Sequence, residues 1–102
     1  MNIIVYTTCP DEETARRISH RLVGDRLAAC VHRYAAGMSV FEWEGQVEEE
    51  AEILLMIKTK EKLYGSMESA ILAEHPYEVP EIIATNIDTG LPAYLRWIDH
   101  LD

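Results

Sequence analysis

At 102 residues, with 48% hydrophobic side chains and nine glycines and prolines together (five and four), the chain has the size of one domain, residues 1–102, and too much apolar content for long disorder. Eighteen acidic against nine basic residues give a net charge of −9. Such a surface cannot displace counterions from phosphate backbones, which argues against a nucleic-acid partner and favours a cationic one. Two cysteines are too few for a disulfide-dense secreted scaffold, and no apolar run approaches the roughly 20 residues of a membrane span. No basic segment leading into an apolar stretch opens the chain, so the expected location is cytoplasmic, away from membranes.

Residues 2–8 read as a short buried strand, because Ile3, Ile4, Val5 and Tyr6 are β-branched or aromatic and uninterrupted. Cys9-Pro10-Asp11 ends it. Asp11 (or Thr8) caps the helix that follows, Glu12 and Glu13 suit its positive end, and Ala15, Ile18, Leu22 and Val23 recur at helical spacing. Gly24 is expected to close that helix in the left-handed conformation. A second strand is predicted over 27–34, with Cys30 in an apolar stretch as a core residue. Ala35-Ala36-Gly37 interrupts it, and alternation resumes over 39–44 with Phe41 and Trp43 on one side.

Glu44-Gly45 has hairpin-turn chemistry. The strand after it is long, about twelve residues over 46–58, with a reach of about 40 Å at 3.4 Å per residue. A second helix is predicted over 62–74, with Leu63, Met67, Ala70 and Ile71 inward. Pro76 and Pro80 then hold an extended segment, a strand follows over 81–87, and a short helix over 91–101 turns Leu91, Leu95, Ile98 and Leu101 inward.

Read as a kink, residues 35–37 leave an even number of strands between the two helices. Right-handed crossovers then lay both helices on one face of the sheet. The prediction is an α+β fold, a ferredoxin-like βαββαβ sandwich with an elongated, bent β-hairpin and a C-terminal helix. Ile53-Leu54-Leu55-Met56-Ile57 is apolar on both faces, while helices cover only one. A second copy of the chain is the expected cover for the other, reached by a hairpin arm with Trp43 near its tip.

The chain contains no glycine-rich phosphate loop, CxxC, HExxH or GxSxG, so no enzyme activity is expected. Cys9 after the first strand and His75 after the second helix fall near one edge of such a sheet. A thiolate and an imidazole are ligands for copper or zinc, with a third donor to come from Glu74, Glu78 or a neighbouring chain. Alternatively His75 caps the helix end and Cys9 packs in the turn. The acidic run Glu42, Glu44, Glu48, Glu49, Glu50 and Glu52 alternates across two faces and reads as a solvated arm. Trp43, Tyr77, Tyr94 and Trp97, with Lys58 as an anion contact, are candidates for lining a cleft between subunits.

Tyr6-Thr7-Thr8-Cys9-Pro10-Asp11, Leu27-Ala28-Ala29-Cys30-Val31, Trp43-Glu44-Gly45, Ile57-Lys58-Thr59, His75-Pro76-Tyr77-Glu78-Val79-Pro80-Glu81-Ile82 and Tyr94-Leu95-Arg96-Trp97 closely resemble the CutA divalent-cation tolerance family over essentially the whole chain. The resemblance implies a ferredoxin-like subunit assembled as a homotrimer, similar to PII-type nitrogen regulators. It further implies tolerance to copper and other divalent cations, and no catalytic reaction. The family's histidine before Pro-Tyr is matched by His75. The family's copper-binding cysteine falls at Thr7, two residues before Cys9, and a second histidine found in some members is Glu74 here. Ala36-Gly37 stands where the family usually has Pro-Gly. A PII-like trimeric signalling or scaffold module, binding a small ligand or protein at inter-subunit clefts, is the alternative function.

Overall fold

The computed structural model describes residues 1–101. Strand β1 (Asn2–Cys9) leads to helix α1 (Glu12–Gly24), then to β2 (Cys30–Arg33), β3 (Gly37–Trp43) and β4 (Gln46–Lys60). A 3-10 turn (Glu61–Leu63) opens helix α2 (Tyr64–Glu74), followed by β5 (Ile82–Asn86), helix α3 (Pro92–Ile98) and a final 3-10 turn (Asp99–Leu101). The strands lie in the order β2-β4-β1-β5, with β3 continuing along β4 beyond β2, and every pairing is antiparallel. This is the predicted α+β, ferredoxin-like arrangement.

Residues 35–37 are a kink and not a reversal. Arg33 stands opposite Leu55 and Gly37 opposite Glu52, so three residues (34–36) face two (53 and 54). The pairing persists through the bend, since the Tyr34 N–H donates to the Leu54 carbonyl at 3.0 Å. One extra residue on one strand is a β-bulge, which turns the strand without breaking the sheet. Beyond it β3 and the first half of β4 run out as an arm. Glu44 (φ 50°) and Gly45 (φ 81°) close the arm with two left-handed residues, the backbone a two-residue hairpin needs to match strand twist. The arm stretches the molecule to 45 × 25 × 23 Å.

Strict alternation places Ile3, Val5, Thr7 and Cys9 of β1 and Ile53, Leu55, Ile57 and Thr59 of β4 under the helices. Ala15, Ile18 and Leu22 of α1 and Met67, Ala70 and Ile71 of α2 complete this core. A smaller cluster joins Ala29 to Ile98 and Leu101 near the C-terminus, flanked by Leu63, Ile87 and Leu95.

Several expectations are corrected. Gly24 is not the left-handed residue; Arg26 is (φ 58°). The N–H groups of Leu27 and Ala28 both go to the Leu22 carbonyl, finishing α1, so these residues do not join the second strand, which begins only at Cys30. Cys9 belongs to β1, paired with Ile53, not to the turn. Cys30 is half-buried on the sheet face away from the helices, outside the main core. Val23 and Leu91 point outward, 45% and 70% exposed.

Candidate functional site

The end of β1 and the end of α2 meet as the sequence suggested. Asp11 caps α1 by accepting the Thr14 N–H at 2.7 Å, which fixes the turn after Cys9 and holds the Asp11 carboxyl below the usual carboxylate range. His75 ends α2 by donating its N–H to the Ile71 carbonyl at 2.9 Å. Its ring is buried and spends both nitrogens. Nε2 lies 2.7 Å from the Thr8 carbonyl, and Nδ1 accepts the Tyr77 N–H at 3.1 Å. A carbonyl only accepts, so the proton sits on Nε2 and the ring is neutral.

The next side chain extends this network. The Tyr77 ring leans on His75 at 4.8 Å between centroids, and its hydroxyl donates to Glu52 Oε2 at 2.8 Å. Burial, and then the Glu52 carboxylate, push the Tyr77 phenol well above its ordinary range. Burial also pushes the Cys9 thiol up to about 11, helped by the negative charges of Asp11 and Glu52. Glu74 is held by two arginines of α1, with Arg17 Nε at 2.9 Å and Arg21 Nη1 at 3.0 Å.

His75, Cys9 and Glu74 are therefore neighbours whose donor atoms are committed elsewhere. As folded none of the three offers a metal an open donor, so an ion must displace what each already holds: both ring nitrogens of the imidazole are bonded, the thiol keeps its proton, and the carboxylate is paired. No three His, Cys, Asp or Glu side chains converge on a metal position among the described residues. Thr7, on the same core face as Cys9, is fully buried, and its hydroxyl has no hydrogen-bond partner among the described residues.

The second candidate group is spread along the molecule. Trp43 stands at the arm tip opposite Gln46, twelve residues from Lys58 on β4, or about 40 Å along an extended strand. Lys58, Tyr94 and Trp97 do gather at the other end. The Lys58 ammonium lies 5.8 Å from the Tyr94 ring centroid, and Tyr94 and Trp97 stack at 5.6 Å. Tyr77 sits between, on Glu52. One chain does not bring these five residues into one cleft.

The sequence reading missed the Tyr77–Glu52 bond and the pair of arginines on Glu74. Spacing offered a signal only for the latter, since Arg17 and Arg21 are four residues apart on one helix face.

An antiparallel ferredoxin-like sheet with a bulged arm and a His-Pro-Tyr corner defines a class of small α+β subunits, and comparison with known proteins places the chain within it. The family model described as CutA1 divalent ion tolerance protein matches residues 3–100, and the chain belongs to that family. It is 42% identical over 93 residues to the mouse protein CutA, covering 91% of this chain and 52% of that protein. The chain thus spans about half the length of such curated animal relatives. Among solved structures, the divalent cation tolerance protein from Thermus thermophilus superposes with a TM-score of 0.94 at 42% identity, covering 96% of this chain and 95% of that one. The protein described as periplasmic divalent cation tolerance protein CutA from Archaeoglobus fulgidus gives 0.95 at 37%, covering 99% and 98%.

Proposed function

We infer that the chain serves divalent-cation tolerance as a homotrimer that takes up copper or a similar divalent ion weakly, and that it catalyses no reaction. The observation that carries the assembly is the arm. Met38, Val40, Phe41, Trp43 and Val47 are all exposed there, where β3 and the first half of β4 pair only with each other among the described residues, and such a run of apolar side chains is stable in water when another subunit covers it. Weak uptake is supported by the state of the candidate donors. Liganding through His75 breaks its bond to Thr8 or to Tyr77, and liganding through Cys9 removes a proton held to about pH 11. Both costs subtract from affinity.

No helix among the described residues is long and apolar enough to cross a membrane. The compartment is a separate matter, because the Archaeoglobus relative is described as periplasmic.

A native mass spectrum with and without a slight excess of Cu²⁺ tests both parts. Three chains of 11.6 kDa give a particle of about 35 kDa. Uptake of up to three ions, reduced in His75→Ala with the trimer intact, is the expected result. A monomer overturns the assembly, and uptake unchanged in His75→Ala overturns the role of that residue.

A further inference from the structure

Both neighbours of β4 end at nearly one level of the strand. The ladder with β2 stops at the Arg33–Leu55 pair and the ladder with β1 at the Cys9–Ile53 pair, so from Glu52 outward β4 is paired with β3. β3 in turn reaches β2 through Ala35 and Ala36, two small and exposed residues of the bulge. The arm can bend at this junction, because a two-stranded ribbon has no third strand or packed layer to resist it. Leverage makes the angle matter. The tip lies six residues beyond Glu52, so over about 20 Å a swing of about 10° carries Trp43 by about 3–4 Å. That exceeds what side chains packed at interior density tolerate.

The Tyr77 side chain crosses this junction. Glu52 stands opposite Gly37, which offers it no side chain, and its carboxylate accepts instead the Tyr77 hydroxyl at 2.8 Å. Tyr77 is fixed to the body of the subunit. Its N–H donates to His75 Nδ1 and its ring leans on that imidazole. His75 is buried and bonded to Thr8 in β1 and to Ile71 in α2. Pro76, between them, restricts the backbone that carries the phenol.

We propose that the Tyr77–Glu52 bond is a latch that sets the angle of the arm before assembly, so that the free chain already holds the arm as the next copy receives it. The inference rests on the homotrimer read above and adds what prepares the chain for it. An arm that swings docks only from the fraction of chains at the right angle, and that fraction multiplies the association rate. Once docked, the arm is held by the neighbouring copy, so losing the bond leaves dissociation almost unchanged. A hydrogen bond of ordinary net strength shifts such a balance about fivefold. Tyr77 and Glu52 are thus positioning residues, acting through the angle of the arm.

The test separates the two rates of assembly. Chains diluted out of dissociating urea are followed into the trimer by native mass spectrometry at several concentrations. Exchange between isotopically labelled and unlabelled trimers gives the rate at which subunits part. Tyr77→Phe and Glu52→Met should each slow the concentration-dependent association about fivefold and leave exchange within about twofold of the parent. The double variant should be no slower than either single one, because both remove the same bond. Glu52→Gln loses the charge but keeps an acceptor oxygen, so it should associate at the parent's rate. Ile18→Val, a core change of similar cost in stability, should also leave association unchanged. An intact trimer whose association is unaltered in both Tyr77→Phe and Glu52→Met overturns the latch and spares the assembly, as does equal slowing in Ile18→Val. A parent that forms no trimer overturns the assembly and the latch with it. Should Tyr77→Phe fail to fold, Glu52→Met against Glu52→Gln decides alone.

Discussion

The two halves of β4 are one continuous strand in two different environments. From Ile53 to Lys60 every second side chain is buried under α1 and α2, whereas from Gln46 to Ala51 all six are exposed. The buried half is held by pairing with β1 and β2 and by a core; the exposed half is held only by pairing with β3. An isolated two-stranded ribbon is marginal in water. The buried half therefore carries the stability of the chain, and in the assembly proposed above the exposed half is the part that meets another copy.

Mutations should separate the halves cleanly, beginning with the core. Leu55, fully buried between the sheet and the helices, should cost about 2–5 kcal/mol when cut to Ala, measured by urea unfolding. Val47→Ala, on the arm, should cost less than about 0.5 kcal/mol in the same measurement made on the dissociated chain. Equal losses would abolish the distinction. The arm's own readout is assembly. Phe41→Ala with Trp43→Ala should leave the far-ultraviolet spectrum intact and weaken association by about 2 kcal/mol or more, the scale of aromatic anchors in interfaces, seen by sedimentation. A double variant that assembles as tightly as the parent would remove the arm from the interface.

The boundary between the halves is marked by the Tyr77–Glu52 bond, which ties the His75 corner to the root of the arm. Tyr77→Phe should cost about 1 kcal/mol, discounted for partial exposure, and should speed amide exchange at the arm's root more than in β1. Within the core, Thr7→Val should run the other way. It replaces a buried hydroxyl that has no partner among the described residues by a methyl group of similar size, and a gain of about 1 kcal/mol is expected. A loss of similar size would mean that the hydroxyl is in fact satisfied.

Much of this was legible from periodicity. The alternation of β1, the helical spacing of Ala15, Ile18 and Leu22, and the Glu44-Gly45 turn each follow from local rules, and together with the kink they fix the topology. The placements that escaped depend on non-local pairing. Cys9 looked like a turn residue because Pro10 follows it, yet its partner Ile53 keeps it in the sheet. Leu27 and Ala28 looked like strand, but the open carbonyl of Leu22 claims both their N–H groups. At the candidate site, spacing suggested that His75 and Cys9 adjoin, but it carried no information on hydrogen bonds. Those bonds, to Thr8 and Tyr77, decide whether a nitrogen is available.

Cys9 itself offers the gentlest probe of the boundary, since it pairs with Ile53, where β4 passes from exposed to buried, and feels the charge of Glu52 from the arm's root. Its thiol titrates near 9.0 when unperturbed and near 11 in the folded chain. Between those values the unfolded chain has released a proton that the folded chain still holds, so unfolding free energy must fall as pH rises through that interval. The stabilisation tied to the protonated thiol is complete below about pH 9 and is lost by about pH 11. Tyr77, also shifted upward, adds a further decline at higher pH. The difference between the parent and Cys9→Ala isolates the thiol: it should shrink steadily from about pH 9 to about pH 11. A difference constant with pH would mean that the thiol ionises as freely in the fold as in the unfolded chain, and that solvent reaches the junction between the two halves.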